Sequence, residues 1–309
     1  MKLTTLASCA AFIYSVALPA MAAQHPATAS QAIFADTPLP GATSDFHGFV
    51  SHDFTVDGCG VHVVDPKTPL PGKPWVWRTM FWDAFPNADI ALLGRGFSVA
   101  FIDVGDTFGA PEPMKHFDAF YDQMTGVYGF SRHPALEGLS RGGLYAYRWA
   151  YVNTGKVGCI YGDAPLCDMK SWPQGKGKST RVEGEVQQAI ASYHFKDEAE
   201  MTAFNGNPID ILQPIAKARI PIIHVVGDAD TAAPMAENSD IIQERFQKLG
   251  GKFVLIVKQG CEHHPHGLND PTPVVDFIVA HCATGQAAKE AMKVAPKPGT
   301  VIELPQGKW

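Results

Sequence analysis

From Phe46 onward the chain alternates short apolar runs with longer stretches in which apolar residues recur every three or four positions. Val61-His62-Val63-Val64 and Trp75-Val76-Trp77 read as strands on either side of a Pro/Gly turn spanning Pro69 to Pro74. A helical stretch from Ala88 to Gly94 leads into a continuous apolar strand, Phe97 to Asp103. Met114 to Tyr128 reads as an amphipathic helix with Phe117, Phe120, Tyr121, Met124 and Val127 on one face. A strand at Ala135–Leu139, a helix from Arg141 to Val152 and a strand at Val157–Tyr161 follow. Ile220–Val226 and Lys252–Val257 are two further strands, separated by a helix from Ala236 to Leu249. A last helix covers Pro273 to Ala280. Strands alternating with helices predict an α/β protein, a mostly parallel sheet with helices on both faces. Residues 163 to 215 break the rhythm and are expected to form a small cap over the C-terminal edge of the sheet. The main domain is expected to run over 46–283, followed by a C-terminal tail, 284–309.

Composition narrows the class. Lys and Arg total 25 against 31 Asp and Glu, giving a net charge of −6, and 46% of residues are hydrophobic. That excludes a disordered chain, which needs low hydrophobicity and high net charge. It also argues against general nucleic-acid binding, which wants a basic excess. The first residues, Met1 and Lys2, an almost uncharged run to Pro19, then Ala20-Met21-Ala22-Ala23, read as a signal peptide cleaved near Ala22 or Ala23. The protein is therefore expected to be secreted or periplasmic, with no membrane association in its mature form. The Ala-, Thr-, Ser- and Pro-rich stretch 24–45 is expected to be a flexible leader. Export would remove Cys9 and leave Cys59, Cys159, Cys167, Cys261 and Cys282, with Cys159 and Cys167 the most local pair for a disulfide.

The chemistry concentrates in three places. Gly138-Leu139-Ser140-Arg141-Gly142-Gly143 lies between a short strand and a helix and matches G-x-S-x-G. A serine on so sharp a turn needs tiny neighbours two residues away on each side, and the turn sets its hydroxyl at the positive end of a helix. Beyond the strand at Ile220–Val226 comes Gly227-Asp228-Ala229-Asp230, where Asp230 is the better-placed acid and Glu237 a stand-in. Beyond the next strand comes Cys261-Glu262-His263-His264-Pro265-His266. Nucleophile, acid and histidine thus follow in the order Ser, Asp, His. His263 fits best as the base, His266 is its rival, and His264 is placed to orient the loop or touch substrate. No zinc-type spacing joins the histidines to a nearby thiol or carboxylate, so neither metal nor cofactor is expected. The oxyanion hole is expected to use the Arg141 N–H and one from the segment Trp75 to Met80. Arg78 and Arg141 are candidate cations for substrate, and Trp172 is a candidate stacking platform.

With these residues the chain resembles the α/β-hydrolase family of serine hydrolases. Lys73-Pro74-Trp75-Val76-Trp77-Arg78, the Ser140 motif, Asp163-Ala164-Pro165, Ser171-Trp172-Pro173 and His263-His264-Pro265-His266 look like a subgroup of exported bacterial hydrolases associated with polysaccharide breakdown. The resemblance implies hydrolysis of a carboxylic ester, on a small molecule or a polysaccharide, through an acyl-enzyme. It departs from the usual pattern in carrying Arg78-Thr79 where relatives have His-Gly. A peptidase of the prolyl-oligopeptidase kind, which usually carries a large additional domain, and an inactive hydrolase fold serving as a binding module are the alternatives.

Overall fold

The computed structural model describes residues 37–309. The expected signal peptide and most of the expected leader lie outside the described residues. Among the described residues, ten strands form one sheet in the order β1-β2-β3-β5-β4-β6-β7-β8-β9-β10. Its edge is antiparallel: β1 (Ala42–Phe46), β2 (Phe49–Val56) and β3 (Cys59–Asp65), with β3 also antiparallel to β5 (Ser98–Ile102). From β5 through β4 (Trp75–Arg78), β6 (Ala135–Leu139), β7 (Cys159–Asp163), β8 (Ile222–Gly227), β9 (Phe253–Lys258) and β10 (Val301–Leu304) every pairing is parallel.

Alternation along the central strands divides the core between the two faces, as a doubly covered sheet requires. Trp75 and Trp77 of β4, with Phe253 and Leu255 of β9, join one core. It is covered by α2 (Met114–Gly126), α3 (Gly142–Val152) and α7 (Ser239–Lys248). Val76, Val254 and Ile256 point the other way, to α1 (Asn87–Gly94), α8 (Thr272–Cys282) and α9 (Gly285–Val294). Among the described residues no helix is long and apolar enough to cross a membrane.

Strands β3 and β4 lie on either side of the Pro/Gly segment as expected, with β5 between them in the sheet. Several expectations are corrected. The leader does not extend to residue 45, because Ala42–Phe46 pairs with β2 as a strand. The expected tail, 284–309, is built into the fold: α9 packs on α8, and β10 pairs with β9 in register from Val301–Leu255 to Leu304–Lys258. Val127 falls just past the end of α2 and is exposed. Cys159 lies beside Cys282, with the sulfurs 3.4 Å apart, not beside Cys167, and all five described cysteines are free. The insertion between β7 and β8 does carry its own helices, α4 (Glu183–Tyr193), α5 (Glu198–Ala203) and α6 (Leu212–Lys217).

Candidate active site

Parallel strands deliver their C-terminal loops to one edge of a sheet. Here the loops after β4, β6, β8 and β9 converge there. Ser140 sits between β6 and α3 with φ +50°, a left-handed conformation that a serine adopts only when its surroundings impose it. The flanking glycines make this turn possible. A Cβ on Gly138 would lie 2.9 Å from Gly143 Cα, and one on Gly143 would lie 2.8 Å from Leu166 O. The turn is tied to β7 and the insertion by Ser140 N–H donating to Asp163 O (2.9 Å) and Leu166 N–H donating to Ser140 O (2.8 Å).

Ser140 Oγ is 2.9 Å from His263 Nε2, and His263 Nδ1 is 2.7 Å from Asp230 Oδ2. The other oxygen, Asp230 Oδ1, accepts N–H bonds from Ala232 and Ala233, both at 2.8 Å. Burial pushes the Asp230 carboxyl up, but the His263 bond and those two amides outweigh it and hold the group below its ordinary range. A serine hydroxyl, an imidazole and a buried carboxylate are thus in hydrogen-bonding sequence. Of the three histidines, His263 is the one hydrogen-bonded to both Ser140 and Asp230, while His266 meets Asp163 and His264 stacks on Phe85.

Of four other candidates, Glu237 and Arg78 lie away from the cleft, whereas Arg141 and Trp172 line it with partners of their own. Glu237 does not approach His263. It accepts from Ser171 Oγ (2.6 Å) and from the Lys178 N–H, and so anchors the 171–178 segment of the insertion. Arg78 is fully buried beneath the loop after β4. It pairs with Asp89, lies 3.7 Å from Glu137, and donates to Phe81 O (3.1 Å) and Ala84 O, leaving nothing for substrate. Arg141 is likewise occupied, by Asp106 and by Glu185 (2.7 Å) on α4, with its guanidinium over the rings of Phe81, Phe108 and Trp172. Trp172 lines the cleft but is packed on Phe108, ring centroids 6.0 Å apart.

The cleft above Ser140 holds about 270 Å³, and its walls are mainly apolar: Phe81, Phe85, Leu166, Trp172, Ala232 and Ala233. His264 stacks on Phe85 at the rim (5.7 Å), and His266 is buried, with Nδ1 3.2 Å from Asp163 Oδ1. Asp163 also accepts from Gly267 N–H (2.6 Å) and Tyr161 Oη (2.9 Å). Behind the histidine loop, buried Lys258 donates to Pro265 O and to Gly267 O (3.2 Å). Sequence reasoning missed Asp163 and Lys258. The available signal was a charged residue ending an otherwise apolar strand.

No family model matches the sequence, and no curated protein matches it. Among solved structures the chain is similar to a 2,6-dihydroxy-pseudo-oxynicotine hydrolase, with TM-score 0.57 and 17% identity over 82% of this chain and 70% of that one. It is similar to a puromycin hydrolase, with TM-score 0.58 and 16% identity, covering 84% of this chain and 42% of the other. An acylaminoacyl peptidase from Pyrococcus horikoshii matches at TM-score 0.53 and 12% identity over 72% of this chain and 40% of its own length. The chain thus spans less than half of the two longer hydrolases.

Proposed function

This chain has the α/β-hydrolase fold, and from that premise we propose that it is a serine hydrolase that cleaves an acyl bond through an acyl-enzyme on Ser140. The observation that carries the reading is the unbroken hydrogen-bonded series Ser140–His263–Asp230 on a left-handed elbow. Ser140 Oγ attacks the carbonyl carbon while His263 Nε2 takes its proton, then passes it to the leaving oxygen or nitrogen. Water, deprotonated by the same nitrogen, releases the acid. Oxyanion donors would be the Arg141 N–H at the start of α3 and one from Met80 or Phe81, since the Thr79 N–H is already given to Glu137 O (3.0 Å).

The apolar cleft and the neutralised Arg141 favour a substrate with an aromatic or aliphatic group next to the scissile carbonyl. Amides enter beside esters because the similar structures include a puromycin hydrolase and an acylaminoacyl peptidase. An ester on a carbohydrate, implied by the family resemblance, has less support, because the lining cation Arg141 is already paired with Asp106 and Glu185 and Trp172 is packed on Phe108. The N-terminal pattern Met1–Ala23 supports action outside the cytoplasm.

The test is a panel of p-nitrophenyl esters, aminoacyl anilides and feruloylated, acetylated and methyl-esterified polysaccharides, run beside fluorophosphonate labelling. Ser140→Ala is expected to lower hydrolysis by on the order of 10⁴-fold or more and to abolish labelling. Wild-type protein that neither labels nor hydrolyses any member overturns the reading.

A further inference from the structure

Three imidazoles, His263, His264 and His266, face one another at the cleft, and only the first is used by the proposed reaction. Their ring centroids form a nearly equilateral triangle with sides of 4.8, 4.9 and 5.0 Å, and each pair of rings is close to perpendicular. One nitrogen from each lies within 4.8 Å of the other two. Tetrahedral zinc, with Zn–N of about 2.0–2.1 Å, sets three imidazole nitrogens about 3.3 Å apart and their ring centroids about 5.2 Å apart. The rings are thus already at the spacing zinc imposes, and tilting them inward would bring the nitrogens together.

A second, independent observation points the same way. Histidines that bind metal almost always present their other ring nitrogen to a carboxylate or carbonyl, which fixes the ring and raises its basicity. Two of the three do so here: His263 Nδ1 meets Asp230 and His266 Nδ1 meets Asp163, both acids buried. His263 Nε2 faces Ser140 Oγ (2.9 Å), and both rings line the cleft. His264 needs no such brace to be available.

We propose that His263, His264 and His266 form a binding site for a divalent transition ion of the zinc class, and that the ion inhibits the enzyme by occupying the nitrogen that must accept the proton of Ser140. The fourth position would be filled by water or by Ser140 Oγ, which lies 2.9 Å from His263 Nε2. Binding releases any protons carried by the three rings, and no bond to substrate is made or broken. The inhibitory half rests on the serine-hydrolase reading, but the binding half does not.

The experiment therefore separates them. The untagged full-length Ser140→Ala protein, which keeps all three imidazoles, is titrated with zinc chloride by calorimetry and with cobalt(II) by visible absorption. One ion per chain and the absorption of tetrahedral cobalt are expected. His264→Ala in the same background removes an exposed ring without threatening the fold and is expected to weaken binding at least tenfold. Asp163→Asn is expected to cost about 10- to 100-fold, as the loss of a partner behind a ligand does. Absence of binding to Ser140→Ala, or affinity unchanged by His264→Ala, overturns the site. On wild-type protein, hydrolysis should fall with the same midpoint as binding and return on adding a chelator. Full activity with the ion bound would overturn the inhibitory half alone.

Discussion

At Asp230 and Glu237 two carboxylates from one loop have been given separate tasks by their hydrogen bonds. Asp230 receives His263 and two amides, while Glu237 receives Ser171 and Lys178. Asp230→Asn is expected to reduce kcat by about 10⁴-fold, because an amide there favours the wrong tautomer of the base. Glu237→Gln should leave turnover near wild type, and a comparable loss in both variants would return Glu237 to the machinery. A different group governs stability in acid. His224 is fully buried between Tyr147 Oη (2.8 Å) and Ser239 Oγ (2.9 Å), and burial lowers its pKa from 6.5 to about 3. The unfolded chain therefore takes up this proton first as pH falls below 6.5. The stability that the neutral ring contributes is full above that value and drains toward pH 3. His224→Gln should flatten the fall in unfolding free energy between about pH 6 and 4 by about 1.4 kcal/mol per pH unit. Urea melts across that range measure it, and equal slopes would refute it.

At the scale of elements, the loop after β4 shows how a buried charge shapes a site. Phe81, Asp83 and Phe85 all have positive φ, an unfavourable arrangement for three side chains so close together. The Arg78 guanidinium stabilises it by donating to Phe81 O and Ala84 O from below while paired with Asp89. Burial and the nearby Asp89 push the Glu137 carboxyl well up, and Asp89 rather than Glu137 is the direct partner of Arg78. Arg78→Met should cost about 3–5 kcal/mol, since it strands a buried carboxylate, and should also release the wall of the cleft that Phe81 and Phe85 form. A chemical melt no less stable than wild type would contradict this. The sequence alone pointed to Arg78 as a cation near the site but could not show which way it faced, because its partners arrive from α1 and β6. The same distinction runs through the fold. Strands β4 to β9 were legible because they are short apolar runs buried on both faces. Strands β1 and β2 were not, since Ala42-Thr43-Ser44-Asp45 is exposed and reads as loop. Ser140, Asp230 and His263 were legible from motif and strand-end position. Asp163 and Lys258 were hidden because only burial reveals their function.

At the scale of the molecule, the C-terminal segment joins the stability of the sheet to the geometry of the site. The segment that forms β10 accepts hydrogen bonds at the edge of β9, from Leu255 N–H at Thr300 O (3.1 Å) and from Gln259 N–H at Leu304 O (2.9 Å). Ile302, Leu304 and Trp309 pack on the core beneath α8 and α9. The Trp309 indole donates to Gln259 O (3.1 Å), and its ring lies 5.7 Å from Lys258 Nζ. That same ammonium holds Pro265 O and Gly267 O, the far end of the loop that carries His263. Removing residues 284–309 would turn β9 into an unprotected edge with apolar faces, a template for aggregation. It would also open Lys258 to water and loosen its hold on the histidine loop. The three half-buried side chains supply on the order of 3 kcal/mol together. For a domain of this size that is a fall in Tm of about 6–12 °C. Trp309→Ala isolates the second effect, since β10 stays paired while the cover over Lys258 is lost. Its Tm should fall less than that of the truncation, and its kcat should fall with KM nearly unchanged, because the displaced group is the base rather than the wall of the cleft. A Trp309→Ala protein with wild-type kcat would show that the histidine loop is held by Asp163 and Asp230 without help from the tail.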